Sequence, residues 1–265
     1  MAASSVTGFR NRGPSARWAA TLILSAMFAA ACGGNSDRGD VEVVVMAASS
    51  LTEVVEVVFD GREGVTTVIA GSSALVAQLA AGAKADVLMT ANAATMERAI
   101  SEGSVRGEPV LIAVNSLVLA TPAGNPGGVA GLADLARSNL LVGLCAPEVP
   151  CGELADRALS DARITPSADT LESNVRTLAA KISLGELDAG LVYATDARAA
   201  GLATVDAPEL SDHINGYYMA SVSAEPAPEV QAVIDDFTMG GVGAKALYAS
   251  GFQGSDRVPV WPAPP

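Results

Sequence analysis

A single histidine, His213, serves the whole 265-residue sequence, and that scarcity excludes several chemistries. Only three cysteines accompany it. Cys145 and Cys151 flank APEVP, far from His213, so no set of nitrogen and sulfur ligands can be assembled for a direct metal site. No G-x-S-x-G elbow occurs, and His213, the one candidate base for a serine nucleophile, lies in LSDHING, which reads as a surface turn. A secreted serine hydrolase is therefore a remote alternative, and the expectation is that the chain is not an enzyme. Positive charge is scarce too, with 16 Lys+Arg against 29 Asp+Glu and a net charge of −13. Three of those positive charges, Arg10, Arg12 and Arg17, precede residue 33, so the remainder carries −16. Such an acidic body argues against nucleic acid as a partner. It also means that an anionic ligand has to be accommodated locally. Beyond the N-terminal segment no stretch approaches the ~20 apolar residues that a membrane-spanning helix needs.

The N-terminal segment is different. Arg10, Arg12 and Arg17 precede WAATLILSAMFAAAC, an apolar run that ends in small residues and Cys32. A basic region followed by an apolar one reads as a secretory signal. The cysteine directly after FAAA, followed by GGNSDRGD, resembles a bacterial lipoprotein signal, in which the cysteine becomes the lipidated N-terminus and the polar residues a tether. A plain signal peptide, or an uncleaved anchor with an incidental Cys32, is the alternative. The expected division is a signal peptide over 1–31 and a lipid-anchored tether over 32–40, holding the protein outside the cytoplasm at the cell membrane. In an exported protein Cys145 and Cys151 can form a disulfide closing a short loop, or remain two free thiols.

From residue 41 the pattern alternates. VEVVVM (41–46), VTTVIA (65–70) and DVLMT (86–90) read as strands, apolar on both faces as in a parallel sheet covered on both sides. Between and after them, Ser50 to about Asp60, Ser72–Ala81 and NAATMERAISEG read as helices, the last ended by Gly103. Alternation of this kind predicts an α/β fold. VLIAVNSLVLAT (110–121) is a long extended run. LLVGLC (140–145) and LDAGLVY then read as strands, and CGELADRALSDA and SNVRTLAAKISLGE as helices. YYMASVS (217–223) is extended again, and two helical segments close the chain. Two α/β lobes follow, 41–114 with 220–265 and 115–219, joined by crossing segments near 110–121 and 214–223.

Serines stand where strands hand over to helices. In open α/β sheets ligands bind beyond the carboxyl ends of the strands, and a helix start offers unpaired N–H groups and partial positive charge to an anion. Ser50-Leu51-Thr52-Glu53 also fits S-x-x-E, a capping box in which both side chains satisfy the helix's own amides. Ser72 has no acid three residues on, so capping and ligand binding are evenly matched there. Pro150-Cys151-Gly152 opens a third helix. Ser173 or Asn174 would cap a fourth and leave the Val175 amide pointing outward. Tyr193 ends its strand, as a ligand or as a core tyrosine.

Together, AASSLTEV, GSSALVAQLAAGAKADVLMTAN, NSLVLATP, PEVPCG, SNVR, GLVYATDA and YASGFQ resemble, in order, the periplasmic molybdate-binding proteins of ABC importers, from about Val41 to Phe252. The resemblance implies a two-lobed periplasmic-binding-protein fold of type II, each lobe a mostly parallel sheet flanked by helices, with the ligand in the cleft between them. It implies a monomer that needs no cofactor, captures molybdate or tungstate and delivers it to a membrane permease. Motif by motif, it implies an oxyanion held by Ser50, Ser72, Cys151, Val175 and Tyr193, so that the metal is bound as its oxyanion and not by direct protein ligands. The serines would give hydroxyl and backbone N–H groups, Cys151 and Val175 backbone N–H groups, and Tyr193 its hydroxyl. Neutral donors suit a fully ionised tetrahedral dianion and offer a protonated oxygen no acceptor. The same fold could instead serve sulfate, another oxyanion or a small organic acid, for which Arg176 is the candidate cation; Arg176 otherwise reads as a solvated helix residue.

Overall fold

The computed structural model describes residues 42–254. The expected signal peptide, the lipidated Cys32 and the tether lie outside those residues. Strands whose residues are buried on both faces form the middle of the sheet: β1 (Val43–Ala48), β3 (Val87–Thr90), β5 (Val142–Cys145) and β7 (Ala189–Tyr193). The edges fall to β2 (Val65–Ala70) and β6 (Ala168–Glu172), which expose much of their length. Two strands connect the halves. They are β4 (Val110–Thr121) and β9 (Ile214–Ser221), which run antiparallel to each other. The order is β2-β1-β3-β9-β4-β7-β5-β6, with the short β8 (Ala203–Val205) beside β4.

Each half keeps the parallel core expected of alternating strands and helices. β1 pairs parallel with β2 and β3, and β5 pairs parallel with β6 and β7. The connecting strands are shared. The first part of β4, up to Ser116, pairs with β9, and Leu117–Ala120 pairs with β7; β9 ends on β3. Helices α1 (Thr52–Phe59), α2 (Ser72–Ala80) and α3 (Ala93–Ser101) cover the first half. The second half carries α4 (Pro150–Asp161), α5 (Val175–Ser183) and α6 (Ala194–Ala199). The closing helices α7 (Pro228–Thr238) and α8 (Val242–Ala249) pack on the first half. There Phe237 meets Phe59 with ring centroids 6.0 Å apart, and Asp236 pairs with Arg62 at 2.8 Å.

One apolar cluster runs through both halves, from Val45, Val54 and Phe59 to Leu144, Leu154 and Leu178. A smaller one, including Met46, Leu75, Leu88 and Met96, fills the other face of the first half. Residues 168–172, for which the sequence suggests no strand, form an edge strand: ADTLE lacks an apolar run because little of it is covered, and the Asp169 carboxylate accepts the Val142 N–H at 2.8 Å. Strand β8 and helix α6 are too short to leave a periodic signal.

A disulfide joins Cys145, the last residue of β5, to Cys151 in the first turn of α4. The loop between them is drawn in so tightly that a Cβ at Gly152 would lie 1.9 Å from the Ala146 carbonyl oxygen. Backbone cannot yield as a flexible side chain can. Gly152→Ala should therefore destabilise the fold by about 2 kcal/mol or more, in the range of overpacked cores, measured as a lower denaturant midpoint. A variant as stable as the parent would contradict the tightness of this turn.

Candidate anion-binding site

Four helix starts and one strand end converge. Ser50 sits in a 3-10 turn (Ser49–Leu51) between β1 and α1, and Ser72 is the first residue of α2. Cys151 is the second residue of α4, Val175 the first of α5, and Tyr193 the last of β7. All five line a single tight cavity with about 10 Å³ of free space, between Ser50 and Ser72 on the first half and the other three on the second. The rest of the lining is Ala48, Ser49, Gly71, Ala91, Val149, Pro150 and Asn174, so no charged side chain faces the cavity. First-turn N–H groups have no intrahelical acceptor, which leaves the amides at these positions available. The halves approach closely here, since a Cβ at Gly71 would lie 2.7 Å from the Ser173 carbonyl oxygen. A wider groove of about 650 Å³ on α5, lined by Arg176, Leu184 and small residues, is open to solvent and brings no such donors together.

The hydroxyls are already engaged on their acceptor side. Ser50 Oγ accepts from the Tyr217 hydroxyl at 2.8 Å, Ser72 Oγ from the Ala91 N–H at 3.1 Å, and the Tyr193 hydroxyl oxygen from Asn215 Nδ2 at 2.8 Å. A hydroxyl has one proton, and in each case that proton is left to donate. Tyr193 and Tyr217 stay protonated, because burial pushes both hydroxyls far above the ordinary tyrosine value.

Three alternative readings fall away. Ser50 and Glu53 do not form a capping box: the helix opens as a 3-10 turn without a side-chain cap, and Glu53 reaches Arg176 Nη1 at 2.6 Å. Arg176 is neither freely solvated nor in the cavity. It is held between Glu53 and the buried Asp196, 3.8 Å away, so the organic-acid reading loses its cation. His213 pairs with Asp161 at 3.1 Å and does not line the cavity, so a hydrolase would have no base beside Ser50 or Ser72. The fourth helix start behaves as its sequence predicts, with Asn174 Oδ1 accepting the Thr177 N–H at 3.0 Å ahead of Val175.

Residues 39–253 match the sequence profile of the bacterial extracellular solute-binding proteins. The chain belongs to that family. Its curated relatives include the molybdate-binding protein ModA of Mycobacterium bovis and that of Mycobacterium tuberculosis, each 35% identical over 260 residues, covering 89% of this chain and 98% of the relative. Among solved structures, the Azotobacter vinelandii periplasmic molybdate-binding protein aligns with a TM-score of 0.63 at 19% identity, over 81% of this chain and 100% of that one. The sulfate-binding protein SubI from Mycobacterium tuberculosis aligns at 0.61 and 14%, over 81% and 87%. At such identities these structures speak for the fold, a two-lobed α/β architecture. The relatives are solute-binding proteins and not enzymes.

A buried acid acts on the cavity residue Tyr193 of this solute-binding protein. Asp196, three residues after Tyr193, is 1% exposed, and neither carboxylate oxygen has a hydrogen-bond partner among the described residues. Burial pushes its carboxyl up to about 7, against the pull of Arg176 and with a further push from Glu53. The native state thus keeps a proton that the unfolded chain releases from its ordinary value of 3.8 upward. Stability from this group is full below that value and is lost as pH rises through about 7. Asp196→Asn should remove this loss: from about pH 4 to about pH 8 the parent's denaturant midpoint should fall relative to the variant's. Parallel curves would contradict the assignment.

Proposed function

We propose that this solute-binding protein captures a fully ionised tetrahedral oxyanion, molybdate or tungstate, through the hydroxyls of Ser50, Ser72 and Tyr193 and the backbone N–H groups of Ser50, Ser72, Cys151 and Val175. The observation that carries the proposal is a cavity between two lobes lined by helix starts and hydroxyls and by no charged side chain. Neutral donors compensate a dianion without a cation that would also attract carboxylates. Charge-assisted hydrogen bonds contribute about 1.5–3 kcal/mol each, and five to seven would give roughly 8–20 kcal/mol before the cost of ordering ligand and lobes, enough for micromolar or tighter affinity. The names of the curated relatives, molybdate-binding proteins at 35% identity, support the choice of ligand. Sulfate has the same charge and shape, and must be excluded by size.

The remaining parts follow the same reading. Residues 41–114 with 220–265 form one lobe and 115–219 the other, and they close on the ligand by a hinge in the connecting strands. The protein works as a monomer, anchored outside the cytoplasm through lipidated Cys32, and hands its ligand to the permease of an ABC importer. Cys32→Ala should move the protein from the membrane fraction to the soluble one; unchanged membrane association would remove the anchor from the account.

Calorimetry with molybdate, tungstate, sulfate and phosphate tests the ligand. Heat and thermal stabilisation are expected with the first two and none with phosphate; silence with both molybdate and tungstate would sink the oxyanion reading. Ser50→Ala should weaken binding about ten- to a hundredfold, the equivalent of one charge-assisted bond, with little change in melting temperature. Unchanged affinity with earlier melting would make Ser50 a structural residue.

A further inference from the structure

Two asparagines face each other in the strands that join the lobes. In the β4–β9 ladder Asn115 is the register partner of Asn215, and both are buried. Asparagine is poorly suited to a strand interior, and a buried amide must find partners. The orientations are fixed by groups that cannot change roles. Asn215 directs Nδ2 at the Pro150 carbonyl oxygen, 3.1 Å away, which can only accept, and the same nitrogen donates to the Tyr193 hydroxyl. Asn115 Oδ1 accepts the Ser116 N–H at 3.1 Å. Its Nδ2 is thereby left for Thr195 Oγ1 at 2.7 Å and the Tyr217 hydroxyl at 3.4 Å. Tyr217 passes this polarity on to Ser50 Oγ. Neither asparagine lines the cavity, and neither does Tyr217.

We infer that Asn115 and Asn215 are positioning residues that set the hydrogen-bond polarity of the site: by donating to the rear of the cavity hydroxyls they commit the Ser50 and Tyr193 protons to the ligand, so that an oxyanion carrying its own proton is refused. This inference rests on the reading that Ser50 and Tyr193 hold the anion. A hydroxyl that must accept from an amide behind it has its single proton to offer in front. A protonated oxyanion would then set its O–H against another donor and leave it unpaired, a penalty that discriminates more sharply than lost attraction. Each asparagine serves one lobe, Asn215 through Tyr193 and Asn115 through Tyr217 and Ser50.

Asn215→Asp tests this, because a carboxylate of the same shape accepts the Tyr193 proton and turns its oxygen into an acceptor for the cavity. Molybdate and hydrogen phosphate are titrated into both proteins at a pH where hydrogen phosphate is mostly divalent, so that repulsion by the new charge acts equally on the two. Molybdate affinity should fall about tenfold or more, hydrogen phosphate should become measurable, and the ratio of the two should narrow by about tenfold or more. Unchanged molybdate binding, or phosphate still without measurable binding, would each overturn the inference. A parent protein that fails to bind molybdate would reject the proposed function instead. Should Asn215→Asp not fold, Tyr217→Phe removes one oxygen from the Asn115 relay. It should weaken molybdate several-fold and narrow the same ratio, and parental values for both anions would overturn the inference.

Discussion

A cavity without a charged side chain, inside a protein of net charge −13, can hold an anion only if uncharged donors converge on it. Open α/β sheets allow this, because every crossover from strand to helix ends in N–H groups that the helix cannot satisfy. Here such starts come from both lobes, at Ser50 and Ser72 on one and at Cys151 and Val175 on the other. Their convergence depends on close backbone approach, which glycine permits at Gly71 against Ser173 and at Gly152 against Ala146. The Cys145–Cys151 disulfide ties the third helix start to the end of its own strand. The sheet fixes where donors can be, and these few residues bring them within one cavity.

The groups that bridge the cleft outside the cavity are of another kind. Glu53 meets Arg176 at 2.6 Å, Asn92 Nδ2 donates to Glu153 at 2.7 Å, and Ser73 Oγ donates to the Glu148 carbonyl at 2.7 Å. The Glu53 and Arg176 side chains remain 38% and 32% exposed, and ion pairs so open to water contribute little net stability. Weak bridges fit the proposed hinge opening of the lobes. The strong, desolvated contacts are kept for the hydroxyls, where Tyr217, Ala91 and Asn215 hold Ser50, Ser72 and Tyr193 from behind.

Much of this was legible in the sequence because small residues at strand ends are unambiguous punctuation. The two α/β halves, the crossing strands near 110–121 and 214–223, the return of the last helices and the Asn174 cap all left local signals. The S-x-x-E pattern suggested a capping box that does not form, because the pattern is local whereas Arg176, which takes Glu53, lies far along the chain. The edge strand at 168–172 was hidden by its own exposure. Asn115 and Asn215 were visible as polar residues in apolar runs, but only the β4–β9 register shows that they face each other behind the site. A hydroxyl's direction is set by what lies behind it, and strand order, absent from any local motif, decides that.

Anomalous diffraction from crystals grown with molybdate tests the central claim most directly, since the metal's position is read without assumptions about the protein around it. The account predicts one molybdenum peak in the cavity, its oxygens within hydrogen-bond reach of the Ser50, Ser72 and Tyr193 hydroxyls and the Cys151 and Val175 amides, with no lysine or arginine in contact. A peak elsewhere, or an oxyanion held by a cationic side chain, would contradict it.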